Sequence, residues 1–158
     1  MPRISESLQF VPVVEAKDYG SAGIDFDSVH IGRLTTLSFA VNFGLLTGNS
    51  ILKVSTGATE GTKTTDIAFK YRIGGGAFKA ASADILGDPV AVTSAGLTLT
   101  AATFQHKLVV IEIDADNGTD AQPWVTVSID ATATVLSVGG VAVGRPRYAG
   151  HTPPTVIK

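Results

Sequence analysis

From Leu34 to Phe43 the chain alternates Leu37, Phe39, Val41 and Phe43 with Thr36, Ser38, Ala40 and Asn42, the two-residue period of a strand with one buried face. Ile51 to Ser55 follows Thr47-Gly48-Asn49-Ser50, whose glycine and asparagine suit a tight turn, so the two runs predict a hairpin. Ile67, Phe69, Tyr71 and Ile73 share one face of the next run, opposite Lys70 and Arg72. That run ends at Gly74-Gly75-Gly76 and predicts a second hairpin returning through residues 77–80. Small and β-branched residues continue from Pro89 to Leu99. Residues 107–113 are apolar on both faces, as a strand near the middle of a sheet should be. A polar loop from Asp114 to Gln122 leads to a strand over Trp124–Ile129, and Val135 to Val143 forms the last, loosened by Gly139-Gly140.

No segment carries a helical period. About eight to ten short strands with turn-rich connections predict an all-β fold, a single β-sandwich or jelly-roll-like domain. Residues 1–20 contain Pro2 and Pro12, and residues 145–158 contain Pro146, Pro153 and Pro154. Proline fixes φ and lacks an amide donor, which predicts extended N- and C-terminal arms around a sandwich domain over 21–144.

The chain has 158 residues, no cysteine, and 12 basic against 14 acidic side chains for a formal charge of −2. A chain this long buries a core without disulfides, and its weak charge gives no field for nucleic acid or anionic lipid. No stretch approaches the ~18 apolar residues of a membrane helix and the N-terminus lacks a signal-type apolar run, so synthesis in the cytoplasm is expected. No catalytic, cofactor or metal site emerges. His30, His106 and His151 lack the spacing that presents two imidazoles to one metal, and no G-x-S-x-G elbow accompanies any serine. Asp114, Asp116 and Asp120 alternate as Ca²⁺ ligands do, yet Gly118 and Thr119 fall at the wrong loop positions, and a solvated turn explains them. Gly74-Gly75-Gly76 lacks the lysine and following helix of a phosphate loop. Arg145, Arg147 and Tyr148 form a short cationic and aromatic patch suited to protein contact more than to nucleic acid.

Four segments occur in order: Ile67-Ala68-Phe69-Lys70-Tyr71-Arg72, Ser94-Ala95-Gly96-Leu97-Thr98, Leu108 to Asp116, and Arg145-Pro146-Arg147-Tyr148. In combination they resemble the small virion structural proteins of tailed bacteriophages that sit on the head as decoration or cement proteins, a likeness spanning Leu34 to Tyr148. The resemblance implies a non-enzymatic protein on the capsid surface of the virion that binds the major capsid protein lattice and stabilises the head. It also implies a homo-oligomer, a dimer or trimer, without cofactor, nucleic acid or membrane partner. Arms that order on a neighbour give weak single contacts that a lattice multiplies, with Arg3, Phe10, Tyr19, Arg145, Arg147 and Tyr148 as expected anchors. The rival expectations are a tail-tube, neck or head-completion protein and a carbohydrate-binding sandwich. The latter would need exposed aromatics, whereas Trp124 at a strand start reads as core.

Overall fold

The alternation of residues 34–43 becomes one strand of a two-sheet stack in the computed structural model, which describes residues 4–76, 81–130 and 135–147. Its strands are β1 (Gln9–Asp18), β2 (Ile24–Asp25), β3 (Val29–His30), β4 (Leu34–Thr47), β5 (Asn49–Gly57), β6 (Thr65–Asp66), β7 (Phe69–Ile73), β8 (Val90–Val92), β9 (Leu97–Thr100), β10 (Leu108–Asp114), β11 (Trp124–Ile129) and β12 (Val135–Pro146). Two one-turn helices, α1 (Ile4–Ser7) and α2 (Ala101–Phe104), are the only α-helices among the described residues.

The first sheet has the order β1-β12-β4-β10-β7-β8 and the second β2-β11-β5-β6, with β3 also on β11 and β9 also on β5. Every strand pairing in both sheets is antiparallel. With β2 and β3 taken as one interrupted strand, the chain alternates between β1-β12-β4-β10 and β2/β3-β11-β5-β9. That is the winding of a jelly roll, and β7 and β8 widen its first sheet. The fold is therefore an all-β sandwich.

The inner faces supply the core. Leu37, Phe39, Val41 and Phe43 of β4 and Val109, Ile111 and Ile113 of β10 face Leu52 and Val54 of β5 and Val125, Val127 and Ile129 of β11, all buried. Burial of each such side chain is worth about 1.5–3 kcal/mol relative to exposure. Phe104 of α2 plugs one end, its ring edge-on to Phe43 at 6.4 Å between centroids. The alternation of β4 breaks at Gly44, where two residues of β4 face one of β12. This bulge turns Leu45 outward and Leu46 into the core. Residues 108–114 form an inner strand between β4 and β7, as their two apolar faces require.

Three expectations change. The run after Gly48 does not return along β4: β4 lies in the first sheet and β5 in the second, so Gly48, at φ 82°, carries the chain across the sandwich. A glycine in a polar turn marks a reversal but not whether the next strand pairs beside its predecessor or opposite it. The strand returning along β7 is β8, at Val90–Val92; residues 77–80 lie outside the described residues. Finally, residues 9–18 are extended but belong to the sandwich. They form β1, paired with β12 and burying Val11 and Val13, and Pro12 is accommodated because β1 is an edge strand. At the other end Arg145 and Pro146 close β12, and residues 148–158 lie outside the described residues.

Gly96, at φ 96°, turns β8 toward β9 and the opposite sheet, and a Cβ there would lie 2.7 Å from the Leu52 carbonyl oxygen. Gly61, at φ 76°, has open space around its would-be Cβ. Both positions charge an L-residue the left-handed backbone cost of roughly 1–2 kcal/mol. Urea denaturation should therefore show Gly61→Ala losing about that much and Gly96→Ala losing clearly more, since only Gly96 adds a clash with backbone. Equal losses would contradict the tight crossing.

Candidate functional site

The two outer faces of the sandwich are inverted in character. On the second sheet, outward polar side chains are buried: Ser55 of β5 and Thr126 and Ser128 of β11 are closed off from solvent. The segments that fold over them give Ser55 and Thr126 hydrogen-bond partners. Ser28 Oγ and Thr126 Oγ1 are 2.7 Å apart, and the Gly61 amide donates to Ser28 Oγ. Ser55 Oγ donates to Asp66 Oδ1 at 2.7 Å, while on the inward side of β5 Thr56 Oγ1 donates to Gln122 Oε1. The fit is close, since a Cβ on Gly57 would collide with the carbonyl oxygen and hydroxyl of Thr62. This face is occupied by the protein's own loops.

On the first sheet no described segment covers the outer face, and apolar side chains are exposed there. Cross-strand register aligns Pro12 of β1, Val141 of β12, Ala40 of β4 and Val110 of β10 in one row across four strands. Phe10 and Val143 stand beside it as a cross-strand pair. Phe10 is 50% and Val141 37% exposed. The row ends at Arg72, which pairs with Glu112 at 3.1 Å, and Lys70 lies opposite Glu112 on β7. The outer face is thus an apolar platform with a charged margin. A smaller exposed apolar group, Ile85, Leu86 and Val90, lies along the β8 edge.

At the opposite, β1 edge, a groove of about 680 Å³ opens between β1 and the segment carrying β2. Its walls include Val13, Ile24, Phe26 and the ring of Tyr19, with the carboxylates of Glu15, Asp25, Asp27 and Glu60 around them. The Asp27 amide donates to the Val13 carbonyl and links the two walls. Glu15 pairs with Lys17 at 2.8 Å, and Asp25 with Lys63 at 2.7 Å. The hydrogen bond and charge of Glu15 hold the Lys17 ammonium above its ordinary pKa, and Lys17 Nζ lies 5.1 Å from the centre of the Tyr19 ring. Asp27 and Glu60 have no cationic partner within ion-pair distance among the described residues.

The expected anchors divide between these surfaces. Phe10 lies on the platform, and Arg145 follows Val143 on the same face, two residues further along β12. Tyr19 is instead at the far end of β1, where its hydroxyl donates to the Glu15 carbonyl and its ring walls the groove. Arg147 is exposed just beyond β12; Arg3 and Tyr148 lie outside the described residues. Composition and motif reading missed the groove acids, which come from Glu15, the 24–28 segment and the 58–62 loop. Only the Asp25-x-Asp27 alternation hinted at them. The platform had a usable signal: Val110, Val141 and Val143 are apolar at positions where a half-buried strand would carry polar residues.

Other candidates stay apart. His30 stacks edge-on against half-buried Trp124 at 5.1 Å, His106 is exposed beside Gln105, and His151 lies outside the described residues. Asp114 ends β10, and Asp116 and Asp120 are exposed in the turn that follows; no three potential metal ligands converge among the described residues. Comparison with protein-family models, with curated proteins and with solved structures finds no match.

Beside the outer face of the second sheet, on β6, the Asp66 carboxylate is tuned by its partners. Its hydrogen bond from Ser55, then that from Lys53, holds Asp66 below the usual carboxylate range. A lowered folded pKa adds stability that is fully present above the ordinary value near 3.8 and disappears as pH falls through the folded value. Asp66→Asn should therefore lower the urea midpoint at pH 7 modestly, and the deficit should shrink as the pH is lowered from 7 toward 2. A deficit that persisted unchanged at pH 2 would assign the loss to packing.

Proposed function

We propose that the chain is a non-enzymatic structural protein of a tailed-bacteriophage virion, a decoration or cement protein that binds the major capsid protein lattice and stabilises the head. The observation that carries this reading is the uncovered apolar platform on the first sheet, Phe10-Val143 beside Pro12-Val141-Ala40-Val110. A surface of exposed apolar side chains framed by ions suits a broad protein contact, where a few central side chains supply most of the affinity. The ordered resemblance from Leu34 to Tyr148 supplies the class of partner. Jelly rolls recur in capsid and lectin domains, so the winding agrees with the reading without deciding it.

The platform is the working surface in this reading, and Arg145 extends it beyond Val143. Phe10 brings an aromatic anchor and Val141 the centre of the apolar row. A large assembled lattice repeats the same contact many times, so a modest single affinity yields firm retention.

The test is cosedimentation of the purified chain with expanded heads assembled from the major capsid protein of the same genome. The parent chain should pellet with heads. Val141→Lys should keep its circular dichroism and urea midpoint, as surface substitutions usually do within about 0.5 kcal/mol. Its occupancy should fall at least about tenfold, the effect of losing about 1.4 kcal/mol at one anchor. A parent chain that stays in the supernatant, or a Val141→Lys variant that binds equally well, overturns the proposal.

A further inference from the structure

The first sheet has two edges, and only one of them is fit to take another strand. At β1 the ladder is broken by Pro12 and by register shifts between Pro12 and Val14 and between Val14 and Lys17. At the other edge β8 lies open, with Ile85 67%, Leu86 40% and Val90 46% exposed along it. We propose that β8 pairs antiparallel with β8 of a second copy about a two-fold axis at Ala91, joining the first sheets of two molecules into one. This contact is separate from the platform and does not depend on the virion reading.

The bonds of β7 show which backbone groups of β8 are free. The Gly74 amide donates to Leu108 on the β10 side, whereas on the β8 side the Gly75 amide donates to Ile85 and the Ile73 carbonyl accepts from Gly87. Backbone groups alternate sides along a strand, so Phe69, Tyr71 and Ile73 turn theirs toward β8 while Lys70 and Arg72 turn theirs toward β10. Val92 and Val90 stand opposite Phe69 and Tyr71 and face them. Ala91 stands opposite Lys70, so its amide and carbonyl both point out of the sheet edge. Pro89 and Thr93 share that parity, and the Thr93 amide has no backbone partner among the described residues.

These free groups are complementary to themselves. With Ala91 opposite Ala91 of the second copy, each amide donates to the other copy's carbonyl. Each Thr93 amide then meets the Pro89 carbonyl of the other copy. Proline has no amide to donate in return. The acceptor it would leave empty, the Thr93 carbonyl, already receives the Gly96 amide at 3.1 Å. Pro89 is therefore harmless against this edge, whereas it leaves a carbonyl bare on a strand that has no such internal donor. Centring the pair one residue earlier, on Val90, would set Ala91 against Pro89 and leave the Ala91 carbonyl without a donor. The pattern thus selects both the occupant and its register.

The side chains agree with that register. Val90 falls opposite Val92 of the second copy in a non-hydrogen-bonded pair, where side chains approach most closely, and its exposed surface is covered. Leu86 and Ile85 lie where the turn after Thr93 of the second copy arrives. Because β1 cannot pair in the same way, growth through the first sheet stops at two copies.

The experiment is sedimentation velocity of the full-length chain from about 10 μM to about 1 mM, a span suited to so short a contact. The parent should pass from monomer to dimer and no further. Ala91→Pro removes both central donors but no bond of the monomer's own ladder, so it should stay monomeric with circular dichroism and a urea midpoint near the parent's. A second readout uses the absence of cysteine from the chain. The pairing sets the two Ala91 Cα atoms about 5.5 Å apart, within disulfide reach, and the two Ser94 Cα atoms roughly 20 Å apart. Mild oxidation should therefore link Ala91→Cys into a covalent dimer at least about tenfold faster than Ser94→Cys. A parent that remains monomeric or grows past a dimer overturns the proposal. So does an Ala91→Pro variant that folds and dimerises like the parent, or an equal oxidation rate for the two thiols. Should Ala91→Pro fail to fold, the oxidation rates decide. None of these outcomes involves heads, so failure here is distinguishable from failure of the capsid reading.

Discussion

The sandwich depends on the chain changing sheets within very few residues. Strands β4 and β5 lie in opposite sheets with one residue between them, and the inner faces of packed sheets stand about 10 Å apart. Gly48 achieves this at φ 82°, and Gly96 does the same for β8 and β9 with its Cα hydrogens against the Leu52 carbonyl. These crossings place β4 and β10 beside one another in the first sheet and β5 and β11 in the second. The four strands that carry most of the core thus pack as two facing pairs. Were the crossings replaced by ordinary hairpins, β5 would pair with β4 and the second sheet would lose its centre.

The same winding produces the difference between the outer faces. Connections that return to the second sheet fold across part of it, so outward Ser55, Thr126 and Ser128 are buried, and Ser55 and Thr126 have hydroxyl partners. A bare buried hydroxyl carries a desolvation penalty of about 1–3 kcal/mol, which Ser28, Ser55 and Thr126 avoid through their partners. The first sheet receives no such cover from the described segments, yet its outward row is apolar. Buried hydroxyls on one outer face and uncovered apolar side chains on the other are the reverse of what folding alone selects.

Strand identity could be read from the sequence wherever side-chain alternation was clean. Leu37, Phe39, Val41 and Phe43 announced β4, and the doubly apolar run around Val109–Ile113 announced an inner strand, because pleating ties the pattern directly to burial. Pairing was less accessible. Gly48 signals a turn in either topology, and nothing local to residues 47–50 distinguishes a hairpin from a crossing. Pro12 misled for a related reason: its missing donor excludes an inner strand but leaves an edge strand open, and Val11 and Val13 carried the buried parity that decided the matter. The groove was invisible in sequence because Glu15, Asp27 and Glu60 become neighbours only through the β1-to-β2 fold and the 58–62 loop.

Pro12 also has a consequence for how copies of the protein can accumulate. An open sheet edge is a template onto which further strands polymerise without limit, the route by which β-rich proteins form fibres. On β1 that template is interrupted by a residue with no amide hydrogen and by two successive register slips. The edge therefore acts as a terminator of backbone-driven growth. Assemblies built at this end must use side chains, whose fit is finite and countable, and can stop at a defined number of subunits.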